Sequence, residues 1–214
     1  MHLNILDEKR IELLNKLNSL EFIKEFCLGG GTSVSLQLGL RNSYDFDFFT
    51  PNHFNVEELE QILKENFSNV QVIQKYERKS TLDVYINNIK VSFLEYSHQE
   101  IENSLALEGF NNIKLFSLID LAAMKCIAII QRGTKKDFFD LYFLIEHLSL
   151  TPEIIIKILK KKFQNEEVLK SLIFSIGFFD DAEEEELPQT YVTYSWERIK
   201  NFFMQLQQKL NKII

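Results

Sequence analysis

Three β-forming runs in quick succession, VQVIQKY (70–76), TLDVYI (81–86) and IKVSFLEY (89–96), constrain the fold more than any other feature of this chain. Each is rich in β-branched or aromatic residues, and Asn87-Asn88 separates the last two as a two-residue hairpin turn does. After residue 112 the strand pattern stops. Ser117-x-x-Asp120 opens a helix that Gly133 ends after Arg132, and Thr134-x-x-Asp137 opens another through FFDLYFLIEH. Thr151-Pro152 starts a third, with further helix expected at 165–175 and 194–211. Ahead of the β runs, Leu or Ile at 11, 14, 17 and 20 marks an amphipathic helix over 7–21, and Asn55 with Glu58 opens a helix through Leu59, Ile62 and Leu63. The expected class is α+β: a small mixed-sheet core over residues 1–112, followed by a helical bundle over 113–214.

At 214 residues and 45% apolar, with 19 Phe, the chain is long enough for one sizeable core or two small ones. No run of about 18 uncharged apolar residues occurs, so no membrane span is expected. The opening MHLNILDEKR lacks the basic start and apolar centre of a secretory signal, and Cys27 and Cys126 lie in apolar contexts. Reduced core cysteines in a cytoplasmic protein are the expectation. The net charge of −7 argues against a general nucleic-acid coat. Local basic clusters remain at Arg132, Lys135 and Lys136 and at Lys157, Lys160, Lys161 and Lys162, and the acidic run Asp180, Asp181 and Glu183–Glu186 reads as a solvated loop.

The stretch GGGTSVSLQLGLRNSYDFDFF (29–49) places three of the chain's 7 glycines directly before a pair of acids. A short strand through Phe26–Leu28 leads into them. A short helix over 32–39, capped near Thr32 and closed by Gly39, leads out, and a strand follows over Asp45–Phe49. Glycines ahead of a helix N-terminus leave free N–H groups and a dipole that favour phosphate, and Thr32, Ser33 and Ser35 add hydroxyls. Alternation along a strand puts Asp45 and Asp47 on one face, roughly 7 Å apart at Cα, a geometry able to hold one or two divalent cations. Magnesium is typically held by one or two carboxylates plus substrate phosphates. A phosphate cradle feeding a metal-binding strand points to phosphoryl or nucleotidyl transfer.

The residues Gly29-Gly30-Gly31-Thr32-Ser33 followed by Gly39-Leu40-Arg41-Asn42-Ser43-Tyr44-Asp45-Phe46-Asp47-Phe48-Phe49 resemble the entry motif of the AbiEii/AbiGii-type toxin nucleotidyltransferases, within the DNA-polymerase-β-like superfamily. A second block is similar to that family's Lys…Arg…Lys-Asp-x-x-Asp motif: Asp120-Leu121-Ala122-Ala123-Met124-Lys125, then Arg132-Gly133-Thr134-Lys135-Lys136-Asp137-Phe138-Phe139-Asp140-Leu141. With Phe178-Phe179-Asp180-Asp181-Ala182-Glu183 and Trp196, the resemblance spans almost the whole chain.

The resemblance implies that Asp45 and Asp47 bind Mg²⁺ (or Mn²⁺), that Gly30, Thr32 and Ser33 contact the NTP phosphates, and that Lys125 neutralises charge on the triphosphate. Arg132, two helical turns beyond Lys125, can reach the same cleft, which the helical half completes. Asp137 either caps its helix or takes part in catalysis. Asp140, one turn on, either pairs with Lys125 or Arg132 or orients substrate, since an unpaired buried carboxylate is costly. Arg41 contacts the nucleotide or braces the Asp45–Asp47 strand. A third carboxylate, common in the superfamily, is absent at Ser92, with Asp83 or Glu95 as substitutes. The expected activity is Mg²⁺-dependent transfer of NMP from an NTP to RNA, with the tRNA 3′ end as acceptor, by a type IV toxin neutralised by a cognate antitoxin. An antibiotic nucleotidyltransferase and a degenerate nucleotide- or partner-binding protein are the alternatives.

Overall fold

The computed structural model describes residues 1–213 and divides into two compact units. The first comprises Met1–His98 and Ser104–Phe116; the second joins Gln99–Asn103 to Ser117–Ile214.

The first unit contains α1 (Glu8–Asn18), β1 (Cys27–Leu28), α2 (Gly30–Leu38), β2 (Phe46–Thr50), α3 (Val56–Asn66), β3 (Val70–Tyr76), β4 (Thr81–Ile86), β5 (Ile89–Glu95), β6 (Leu105–Ala106) and β7 (Lys114–Leu115). The strands form one mixed sheet in the order β3-β4-β5-β2-β1-β7-β6. The expected hairpin is present: Asn87 and Asn88 both have positive φ, at 50° and 65°, as the tight turn between β4 and β5 requires. Alternation then sorts the faces. Phe46, Phe48, Leu82, Val84, Val91 and Phe93 point to one side, where they join Leu13, Leu14 and Leu17 of α1 and Leu59 and Leu63 of α3 in one core. Phe48 and Phe93 stack with centroids 5.6 Å apart. Each ring buried in this way is worth about 1.5–3 kcal/mol.

Two expectations fail in this unit. The helix after β1 begins at Gly30 with Gly29 as its N-cap, so Thr32 lies inside the first turn and does not cap it. Strands also continue past residue 112: β7 pairs in parallel with β1 through Cys27–Lys114 and Leu28–Leu115. A two-residue strand carries too little periodicity to be read from sequence.

The second unit is helical: α4 (Leu118–Gln131), α5 (Lys135–Leu148), α6 (Pro152–Phe163), α7 (Glu166–Ser175), α8 (Asp180–Glu183) and α9 (Trp196–Ile213). Ser117 caps α4 by accepting from the Asp120 N–H, and Thr151 caps α6 from the Ile154 N–H. The core is aromatic, with Phe138 against Phe179, Trp196 and Phe203.

Here too the structure departs from expectation. The acidic run is not merely a solvated loop, because part of it forms α8 and it clamps the basic cluster beside it. Glu185 accepts from the backbone N–H of Lys135, and Glu183 accepts from Trp196 Nε1 and Lys200. Lys162 is not part of a surface basic patch. It is fully buried, with Nζ 2.6 Å from Asp120, which also accepts from the Ile101 and Glu102 N–H groups and from Ser117. That pair pins segment 99–103 to the helical unit.

Candidate active site

The glycine-rich turn and the acid pair come together because β1 and β2 pair antiparallel, Leu28 against Phe48, which delivers the start of α2 to Asp47. Gly29 N–H donates to the Asp47 carbonyl at 2.8 Å. Gly30 has φ +63°, and a Cβ placed there would lie 2.2 Å from Asp47 Oδ2. Only a residue without a side chain lets the backbone close on that carboxylate, so the first N–H groups and positive end of α2 face Asp47. Thr32 Oγ1 donates to the Asp45 carbonyl and lies 2.7 Å from Ser43 Oγ, tying the turn to the chain just before β2.

Other sequence-derived positions are less open. Thr32 and Ser33 are buried in α2. Arg41 is 2% exposed, its Nη1 donating to the Asn42 carbonyl, and its Nη2 lies 2.5 Å from where a Gly31 Cβ would stand. A brace for the turn is the role this geometry fits. Asp45 is exposed one residue before β2, and Asp47 is half-buried on the sheet face opposite the core.

Register settles where further carboxylates stand. Asp47 is level with Ser92 on β5, which is level with Asp83 on β4, so these three share a face. Asp83 Oδ1 is buried with no hydrogen-bond partner. Glu95 is level with Thr50 on the other face and binds His53 at 2.9 Å. Among the described residues no cluster of three His, Cys, Asp or Glu side chains is arranged around one point. Two carboxylates with substrate phosphates suffice for magnesium, and Asp45 and Asp47 stand two residues apart where β2 begins.

The helical unit holds the second block in one ion network. Lys125, 4% exposed, lies 3.0 Å from Asp137 and 2.7 Å from Asp140. Arg132 reaches Asp137 through Nε at 2.8 Å and Nη2 at 3.0 Å, a forked contact, while its side chain remains 54% exposed. Burial pushes the Asp137 carboxyl up, but the Lys125 charge, then Arg132 and then the Thr134 hydroxyl outweigh it and hold the group well below the usual carboxylate range. Thr134 donates its hydroxyl to Asp137 rather than accepting a backbone N–H, so its side chain does not cap α5. Four chemistry-bearing residues from two consecutive helices and the turn between them thus converge, with both acids buried, Lys125 enclosed and Arg132 reaching solvent.

Sequence reasoning missed Ser43 and the Asp120–Lys162 pair. Ser43 sits within the quoted motif, but its partner is eleven positions away through a turn. Lys162 carries no local sign of burial, because it ends a run of three lysines.

Known proteins resemble this chain over most of its length. The profile described as "Nucleotidyl transferase AbiEii toxin, Type IV TA system" matches residues 12–210. A protein of Aquifex aeolicus (strain VF5), described as uncharacterized, is 35% identical over 202 residues, covering 92% of this chain and 94% of its own. Among solved structures, MenT4, a nucleotidyltransferase toxin from Mycobacterium tuberculosis H37Rv, aligns over 94% of this chain and 82% of its own, with TM-score 0.56 and 15% identity. The antibiotic-resistance factor ANT(2″)-Ia aligns over 77% of this chain and 97% of its own, with TM-score 0.56 and 14% identity. At those identities the structural likeness concerns the fold, whereas the profile spans nearly the whole sequence. The chain is therefore a nucleotidyltransferase and belongs to the AbiEii toxin family of type IV toxin–antitoxin systems.

Proposed function

We propose that this protein transfers NMP from an NTP to the 3′ end of an RNA acceptor, tRNA in particular, in a Mg²⁺-dependent reaction. The observation that carries the reading is the Asp47 carboxylate held against Gly30 at the start of α2, with exposed Asp45 two residues earlier in the chain. Asp45 and Asp47 would hold the magnesium ion, which supplies charge neutralisation on the triphosphate. The first turn of α2 orients phosphate oxygens through its N–H groups. The acceptor hydroxyl oxygen bonds to the α phosphorus as the bond to the bridging oxygen breaks. Pyrophosphate leaves with that electron pair and the hydroxyl proton passes to solvent. Arg132, fixed by Asp137 and still exposed, supplies a guanidinium for the negative charge of the nucleotide. Lys125 holds Asp137 and Asp140 in place. The partner expected from the family is a cognate antitoxin.

The test is label transfer from each common NTP, labelled at the α phosphate, into total bacterial RNA with Mg²⁺. A labelled tRNA-sized band that disappears in Asp47→Ala supports the reading. No transfer from any NTP, by protein that still binds nucleotide, would refute it.

A further inference from the structure

The core residues of α1 and α3 pack on one side of the sheet of the first unit. The register lays out the other side as three rows running from β3 across β4 and β5 to β2. One row is Gln71, Tyr85 and Lys90, with Asp45 one residue before the Phe46–Val91 pair. The middle row is Gln74, Asp83, Ser92 and Asp47, and the third is Tyr76, Thr81, Leu94 and Phe49. Asp47 therefore stands in line with buried Ser92 and with Asp83, and the outer strands β4 and β3 carry two tyrosines. Tyr76 is 49% exposed and Tyr85 is 41% exposed, and neither packs against another ring among the described residues.

Each ring has a cation beside it. Lys90 is level with Tyr85, and Arg78 and Lys79 follow Tyr76 in the turn to β4. None of these three cations forms an ion pair among the described residues. Exposed rings beside these cations and flanked by the amides of Gln71 and Gln74 match what single-stranded nucleic acid needs: faces for bases, charge for phosphates and amides for base edges. With strands about 4.8 Å apart and a rise of about 3.3 Å per residue, Tyr85 lies about 12 Å and Tyr76 about 16 Å from Asp47.

We infer that the face of β3, β4 and β5 carrying Tyr76 and Tyr85 is the acceptor-binding platform, on which a single-stranded RNA end stacks on Tyr85 and Tyr76 while its terminal hydroxyl reaches the Asp45–Asp47 pair. The inference rests on the nucleotidyl-transfer reading of those acids and names a surface for its acceptor. It explains how a chain of net charge −7 can use RNA: the cations that matter are few and local. A duplex would fit poorly, because its bases are not available to the rings.

The test is fluorescence anisotropy of a 5′-labelled single-stranded RNA decamer and of a blunt RNA duplex against the full chain, the double variant Y76A/Y85A and the double variant Y76F/Y85F. Stacking on one ring is worth about tenfold in affinity, so Y76A/Y85A is expected to bind the decamer about a hundredfold more weakly. Y76F/Y85F should bind it as the wild type does, and the duplex should bind weakly to all three. NTP binding by each variant, followed by isothermal titration, checks that the fold is intact. A decamer carrying 4-thiouridine should crosslink to Tyr76 or Tyr85. Equal decamer affinity in Y76A/Y85A and wild type, or crosslinks confined to helices α4–α9, would overturn the platform. If wild-type protein labels RNA yet Y76A/Y85A keeps the same KM for that RNA, the platform falls while the transferase reading stands. If wild-type protein labels no RNA, the transferase reading itself falls, and the platform with it.

Discussion

Gly30→Ala is the sharpest perturbation the site offers. Gly30 has φ +63°, where an L-residue costs about 1–2 kcal/mol. For a chain of this size that corresponds to a loss of about 2–8 °C in Tm. The second effect is local. The new Cβ would fall 2.2 Å from Asp47 Oδ2, whereas real Cβ contacts essentially never come closer than 3.0 Å, so the carboxylate must retreat by about 1 Å. A misplacement of about 1 Å in a group that positions reactants costs on the order of 100-fold in rate. Gly109→Ala separates the two effects, because Gly109 also has positive φ, +85°, but nothing lies within 4 Å of its Cβ position. Label transfer gives kcat/KM for both variants and differential scanning fluorimetry gives both Tm values. Gly30→Ala should lose about 100-fold in kcat/KM beyond any change in Gly109→Ala, with both variants showing the backbone loss. If Gly30→Ala kept the kcat/KM of Gly109→Ala, close approach of this turn to Asp47 would have no part in the reaction.

Four further outcomes are expected. The Asp137 carboxyl is held below its ordinary value, so the stability it contributes is complete above about pH 4 and is lost as pH falls through the depressed folded value. Arg132→Met removes one of the groups lowering it, and urea midpoints measured stepwise down from pH 5 should show a shallower acid loss than the wild type. Asp120→Asn leaves Lys162 charged and fully buried without its carboxylate, which should cost about 3–5 kcal/mol in urea denaturation. Hydrogen exchange at the Ile101 and Glu102 amides should quicken in the same variant, because Asp120 accepts from both. Burial pushes the Cys126 thiol up to about 12, so it should resist a thiol reagent at pH 8 until denaturant is added.

Much of this molecule is written locally. The runs at 70–76 and 81–86 became strands with the quoted bounds, because alternation and β-branched residues at Val70, Val72, Val84 and Ile86 decide a strand without distant help. Ser117, Asn55 and Thr151 cap the helices they were expected to cap, since each needs only an N–H three residues away. The strand expected over Asp45–Phe49 likewise forms, shifted by one residue to Phe46–Thr50, which leaves Asp45 just ahead of it.

What the sequence could not decide is what meets what across the chain. Which carboxylate stands level with Asp47 depends on how β4 and β5 pair, and register alone put Asp83 on its face and Glu95 on the other. Lys162 looked like a solvated cation until α6 brought it to Asp120, because burial of a charge is decided by a partner forty-two residues away. The acidic run gained a structural role only when Glu183 and Glu185 met Trp196 and Lys135. Residue types and short-range periodicity determined that this chain carries a glycine turn, an acid pair and a basic-acidic helical block. Tertiary structure decided which of those charges are spent on one another and which remain for a substrate, because the energy of a charged group is set by the neighbours and solvent around it rather than by its place in the sequence.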